Sequence, residues 1–148
     1  MNEVRQRIVE EARKCLGTPF QHQGNLPGVG LDCTNFIGLT ALNAGVEAVP
    51  EWANNYARRM DGQALLAILS EGLDYLEDYT DALPGDVLAF HDGRSPNIPR
   101  HLAILSEIRQ QGVIYAIHAT ERGVREHRLD ILWKKRIHSA WRLRGVNG

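Results

Sequence analysis

Residues 32–45 read DCTNFIGLTALNAG, and this stretch decides the fold. Aspartate is a good helix cap, because its carboxylate accepts from the free N–H groups of the first turn. Asp32 takes that place here, and Gly45 supplies the stop. Between them Phe36, Ile37, Leu39, Ala41, Leu42 and Ala44 lie nearly all around the helix. A helix apolar on every side is a buried one. The reading is a central helix over 33–44, with Cys33 at its first position.

Working outward, residues 21–31 read QHQGNLPGVGL, and three glycines and a proline make a regular element there unexpected. Before that loop, Asn2 caps an amphipathic helix with Val4, Ile8, Ala12 and Cys15 on one face, ended by Gly17 and Pro19. That places Cys15 on the buried stripe, as a small core residue. A weaker helix is expected from Asp61 to about Ser70, with Leu65, Ile68 and Leu69 inward and Gly72 closing it. Residues 50–59, with Trp52 and Tyr56, fit either core packing or a wall of a cleft.

The second half turns to strands. Pro84-Gly85 marks a turn, and Asp86 to Phe90 follows as a strand. Residues 91–100 are polar, hold two prolines and read as a loop. His101–Ile108 and Val113–Ala119 form a hairpin through Gln110-Gln111-Gly112. Val124–Leu129 and Ile137–Leu143 are further strands, with a helical turn over Asp130–Lys135 between them. Helices first and hairpin-joined strands after them imply an α+β domain with an antiparallel sheet.

The 148 residues fit one domain, 1–148, long enough to bury a core without metal or disulfide staples. At 43% hydrophobic and 24% charged the composition is that of a globular protein. A net charge of −1 speaks against binding along a nucleic-acid backbone. No apolar run reaches membrane-spanning length, so no membrane partner is expected. The first residues, MNEVR, lack the basic-then-apolar pattern of a signal peptide, and synthesis in the cytoplasm is the expectation. Two cysteines with no CxxC spacing make neither a disulfide framework nor a zinc motif.

Cys33 is the residue with chemical promise. N–H groups at a helix start favour a thiolate and can hold an oxyanion. The competing reading is a buried structural cysteine. His101 begins an apolar strand just after a polar loop, where a side chain meets both core and solvent. If the hairpin turns at 110–112, His118 comes out near His101 at the same open end. A thiol, an imidazole and a third polar group that orients it are the parts of thiol catalysis. His118 is the candidate third group, or else a hydrogen-bonded histidine of a sheet edge. Zinc bound by Cys33, His101 and His118 is a further use of the same residues, disfavoured by their wide spacing. His127 and His138 sit among charged residues and read as surface. His22 and His91 lie in loops and could touch substrate.

Several ordered motifs carry a resemblance over nearly the whole chain. They are LGTPF at 16–20, GVGLDC at 28–33, LPGDV at 83–87, HLAI at 101–104 and IHA at 117–119. Together they resemble the NlpC/P60 family of cysteine peptidases. TPFQHQ at 18–23 and the tail from Val124 to Arg142 are most similar to its phage-tail branch. The resemblance implies a reduced papain-like α+β domain, with the nucleophile at the start of a central helix packed on an antiparallel sheet. It implies Cys33 as nucleophile after Asp32, His101 as general base, and His118 as orienting residue. The implied reaction is cleavage of peptidoglycan stem peptides, typically between D-γ-glutamate and diaminopimelate or lysine, with no cofactor. Phage tail proteins are the implied partners, and the cell wall, reached from a virion, is the implied place of action.

Two positions depart from the family pattern. Phe20 stands where the family usually has tyrosine, and it has no hydroxyl to help at substrate or oxyanion unless Gln21 or His22 substitutes. Thr34-Asn35 replaces the residues that usually follow the cysteine. These departures motivate a second expectation, a tail-assembly or wall-binding module that kept the fold and lost the chemistry. A third is another acyl transfer, such as an amidase or transglutaminase-like reaction.

Overall fold

The computed structural model describes residues 2–46 and 62–148. The expectations for Pro50–Arg59 lie outside the described residues. Helix α1 spans Glu3–Lys14, and the Asn2 side chain caps it by accepting from the Arg5 amide. Helix α2 spans Cys33–Asn43, capped by Asp32 as its sequence requires. Helix α3 spans Gly62–Gly72, with Leu65 and Leu69 fully buried. The one-turn helix α4 spans Ile131–Lys135, and Asp130 caps it through the Trp133 amide.

Among the described residues, eight strands accompany them. β1 (Asn25–Leu26) and β2 (Gly30–Leu31) pair antiparallel inside the glycine-rich loop, where no regular element was expected. The close approach explains the glycines: a Cβ on Gly24 would meet the Gly30 carbonyl at 2.7 Å. The main sheet holds β3 (Leu73–Leu76), β4 (Val87–Phe90), β5 (His101–Arg109), β6 (Val113–Thr120), β7 (Gly123–Arg128) and β8 (Ile137–Leu143). Its order is β3-β8-β4-β5-β6-β7, antiparallel throughout. The α+β expectation holds. The hairpin from β5 to β6 turns at Gln110–Gly112 as read, with Gln111 left-handed at φ 64°. Strand β3 escapes the sequence reading, because LDYL is a short edge strand without regular alternation and follows α3 without a break.

The sheet buries both faces. One carries α1 and α2 over Val87, Leu102, Ile104, Ile117, Ala119 and Trp141. Against them α2 sets Phe36, Ile37 and Ala41, all at zero exposure. Truncating a buried phenylalanine such as Phe36 to alanine costs about 3–5 kcal/mol. The other face encloses a smaller core of Leu88, Phe90, Ala103, Leu105, Ala116 and Leu129. Thus α2 is held on the sheet, and Cys33 is fixed at its end.

A buried ion cluster ties the chain ends to that core. Asp86, at zero exposure, accepts from Arg5 Nη1 at 3.0 Å and from Arg142 Nη2 at 2.9 Å. It also accepts from the Leu83 amide at 2.8 Å. Arg5 is 2% exposed and further donates to the carbonyls of Pro84 and Asn147. The aspartate of the LPGDV stretch is therefore a structural hub joining α1, β4 and β8. Among the described residues, no helix is long and apolar enough to cross a membrane.

Candidate active site

Asp32 sets the site from the loop side. Its Oδ1 accepts from the Asn35 amide at 2.8 Å and its Oδ2 from the Gln23 amide at 2.9 Å. One carboxylate thus caps α2 and pins the loop that precedes it. Burial pushes its pKa up, and the Asn35 and Gln23 amides oppose that shift. The carboxylate thus ties the loop to the start of α2.

Cys33 occupies the first position of α2 and is partly exposed. Its sulfur lies 3.9 Å from the Thr34 hydroxyl. The backbone of Leu102, the residue after His101, hydrogen-bonds it. Burial pushes the thiol up to about 11, and the Asp32 charge pushes the same way. Hydrogen bonds from Leu102, Thr34 and its own amide only partly offset this. A helix start favours ionisation, yet here desolvation and a neighbouring carboxylate outweigh it. The resting Cys33 is a neutral thiol at pH 7.

The histidines come together by register. His118 pairs with Arg125 across β6 and β7, so His127 is its diagonal neighbour on the same face. His101 and His118 stand in the same diagonal relation across β5 and β6, since Ile104 pairs with Ile117. Diagonal neighbours are within reach of long or ring side chains. His101 Nε2 lies 2.6 Å from His118 Nδ1. His118 Nε2 lies 2.6 Å from His127 Nε2, and His127 Nδ1 lies 2.8 Å from the Arg128 carbonyl. Three imidazoles and a carbonyl form one row.

Burial lowers His101 to about 4, and the neighbouring His127 pushes the same way. Burial lowers His118 to about 3, helped by both neighbouring histidines. Both rings are therefore neutral at pH 7. Both nitrogens of His118 face other imidazoles, so a metal there would have to break the row.

Trp133 closes the site from α4. Its ring lies 5.0 Å from His118, edge to face at 88°, and 6.1 and 5.6 Å from His101 and His127. Phe90 braces it at 5.3 Å. This aromatic wall keeps the ring planes in place and excludes water from His118, which has zero exposure.

The structure thus brings His101 and His118 together as read from the sequence, and sets Cys33 against the residue beside His101. His127, expected at the surface, is half-buried within the row. His138 bonds Ser139 Oγ at 2.8 Å in another part of the sheet. Phe20 is 43% exposed on a segment bridged to Leu31. His22 is exposed, and its charge acts on Asp32. His91 accepts from the Gly93 amide in the loop before β5. Trp133 went unnoticed in the sequence as a site residue, although its place in the turn between two strands was visible.

No family model and no curated relative matches the sequence. Solved structures do match its fold. One is a Staphylococcus aureus Mu50 protein described as similar to a lipoprotein of the NLP/P60 family. It aligns at TM-score 0.67 and 22% identity over 97% of this chain and 42% of its own. Another is an NlpC/P60 family protein from Bacillus cereus ATCC 10987, at TM-score 0.67 and 20% identity over 94% of this chain and 40% of its own. A third is the NlpC/p60 domain of the peptidoglycan hydrolase SagA, at 0.61 and 23% over 97% of this chain and 100% of that domain. The chain spans about two fifths of the length of the first two. The fold is that of NlpC/P60 domains.

Proposed function

We propose that this protein is a cysteine endopeptidase that hydrolyses peptidoglycan stem peptides between D-γ-glutamate and diaminopimelate. One observation carries the reading. The row of imidazoles begins at His101, directly beside the Leu102 backbone that holds the Cys33 sulfur. The sequence motifs around Cys33, His101 and His118 support the substrate class, as does the likeness in fold to a peptidoglycan hydrolase domain. The motifs at 18–23 and 124–142 support a place in a phage or prophage tail, with tail proteins as partners and the cell wall as target.

The chemistry follows from the neutral resting pair. His101 takes the proton from Cys33 as the sulfur attacks the γ-glutamyl carbonyl, so no standing ion pair is needed. The Cys33 amide at the start of α2 faces the developing oxyanion. His101 passes the proton to the departing amine of diaminopimelate, and a thioester remains on Cys33. Water, deprotonated by His101, then splits the thioester into free thiol and γ-glutamate carboxylate. His118 holds the His101 ring and is a positioning residue.

The test is digestion of purified stem peptides read by mass spectrometry, with Cys33→Ala as control. Products from the wild type alone support the proposal and name the bond. Phe20 and the raised Cys33 thiol favour a second reading, a wall-binding or tail-assembly module without turnover. That reading gains if both proteins bind wall fragments and neither yields products.

A further inference from the structure

We propose that His127 is a positioning residue that sets the tautomers of the whole imidazole row, leaving Nδ1 of His101 as the bare nitrogen for the thiol. The proposal rests on the reading of Cys33 and His101 as nucleophile and base, and it adds a residue to which the resemblance assigns no catalytic role.

The row is fixed from its far end. The Arg128 carbonyl can only accept, so His127 Nδ1, 2.8 Å away, must carry a proton and donate. A neutral imidazole has one N–H and one acceptor nitrogen. In the neutral state of the row each ring has a single N–H, and His127 carries its own on Nδ1. Its Nε2 is then an acceptor. His118 Nε2, 2.6 Å away, must donate to it, which strips the proton from His118 Nδ1. His101 Nε2, 2.6 Å from that nitrogen, must donate in turn. The remaining nitrogen of His101, Nδ1, holds a free lone pair. Reversing any one bond while the Arg128 carbonyl keeps its donor puts two lone pairs or two protons face to face at 2.6 Å. The low pKa values of His101 and His118 keep both rings in the neutral form that the chain of donors requires.

The proton on Nδ1 of His127 belongs to the less favoured imidazole tautomer, so the carbonyl is what holds it there. Trp133 packs on all three rings and prevents the turns that would exchange their nitrogens.

Nitrogen-15 NMR of histidine-labelled protein reads each tautomer directly, in resting protein with no substrate. The expected result is a proton on Nδ1 of His127 and on Nε2 of both His118 and His101. Three variants then separate positioning from packing. His127→Gln can still donate to the carbonyl and accept from His118, so tautomers and rate should be retained. His127→Leu removes the acceptor, and hydrolysis should fall while the fold persists. His127→Lys presents only donors to His118, so the row should reverse and the proton move to Nδ1 of His101. A wrong tautomer in a comparable triad costs about 10⁴ in rate, so the Lys variant should lose most. A His127 protonated on Nε2 in the wild type, or an unreversed row in a folded Lys variant, overturns the proposal. The tautomer readout does not depend on cell-wall cleavage. If the wild type fails to cut stem peptides yet shows this row, the functional reading fails and the row stands.

Discussion

His118 Nε2 and His127 Nε2 face each other at 2.6 Å, although nine residues and a turn separate them in the chain. Register across β6 and β7 produces the contact, since a two-residue diagonal step carries one ring to the next. The same step carries His101 to His118. An antiparallel sheet has thus aligned three rings on one face, under a single tryptophan.

The buried rings predict an unusual acid limb. Neutral His101 is the reactive form, and its pKa is lowered to about 4. Hydrolysis should therefore persist down to about pH 4 and fall below it. An acid limb near the ordinary imidazole value of 6.5 would contradict the buried, neutral row. The rings titrate as a coupled set, so the limb reports the row rather than one residue.

Stability should follow the same groups. The unfolded chain binds protons at these histidines below about pH 6.5, while folded His101 and His118 resist until about 4 and 3. Between those values the unfolded state holds more protons, so stability falls as pH drops and levels off below the folded pKa values. Urea midpoints taken from pH 7 to pH 3 should show the decline, and His118→Leu should flatten it.

The two cysteines should differ in access and agree in pH trend. Burial raises both thiols, that of Cys33 to about 11. Cys15 is 3% exposed and should resist iodoacetamide in the folded protein. Cys33 should react slowly at pH 7 and faster towards pH 10, with peptide mapping to assign the label. Fast labelling of Cys33 at pH 6 would show a standing ion pair and refute the neutral resting thiol.

Asp86 should dominate the stability map. Asp86→Ala strands two arginine charges, one of them fully buried, and should cost about 3–5 kcal/mol. Asp32→Ala removes a helix cap and should cost about 1 kcal/mol, with added mobility of residues 21–31. Chemical denaturation of both variants checks the order.

Much of this was legible in the sequence, for local reasons. Caps at Asn2 and Asp32 and stops at Gly17 and Gly45 announce their helices. The glycine turn at 110–112 announces the hairpin, and with it the meeting of His101 and His118. Strand order is a property of long-range pairing, and no local pattern near Leu73–Leu76 points to its partner β8. His127 read as surface because Arg125, Glu126 and Arg128 surround it in sequence. Carrying the register through Thr120–Gly123 would have placed it diagonal to His118. A helix start is visible in sequence, while the burial that pushes the Cys33 thiol up is not.

The most direct test is a search for the covalent intermediate. The protein is mixed with stem peptide, quenched in acid within seconds, and mapped by mass spectrometry. The account predicts a γ-glutamyl thioester on Cys33, none on Cys15, and none anywhere in Cys33→Ala. Stem-peptide cleavage that continues in Cys33→Ala, or a folded wild type that forms neither thioester nor product, would contradict it.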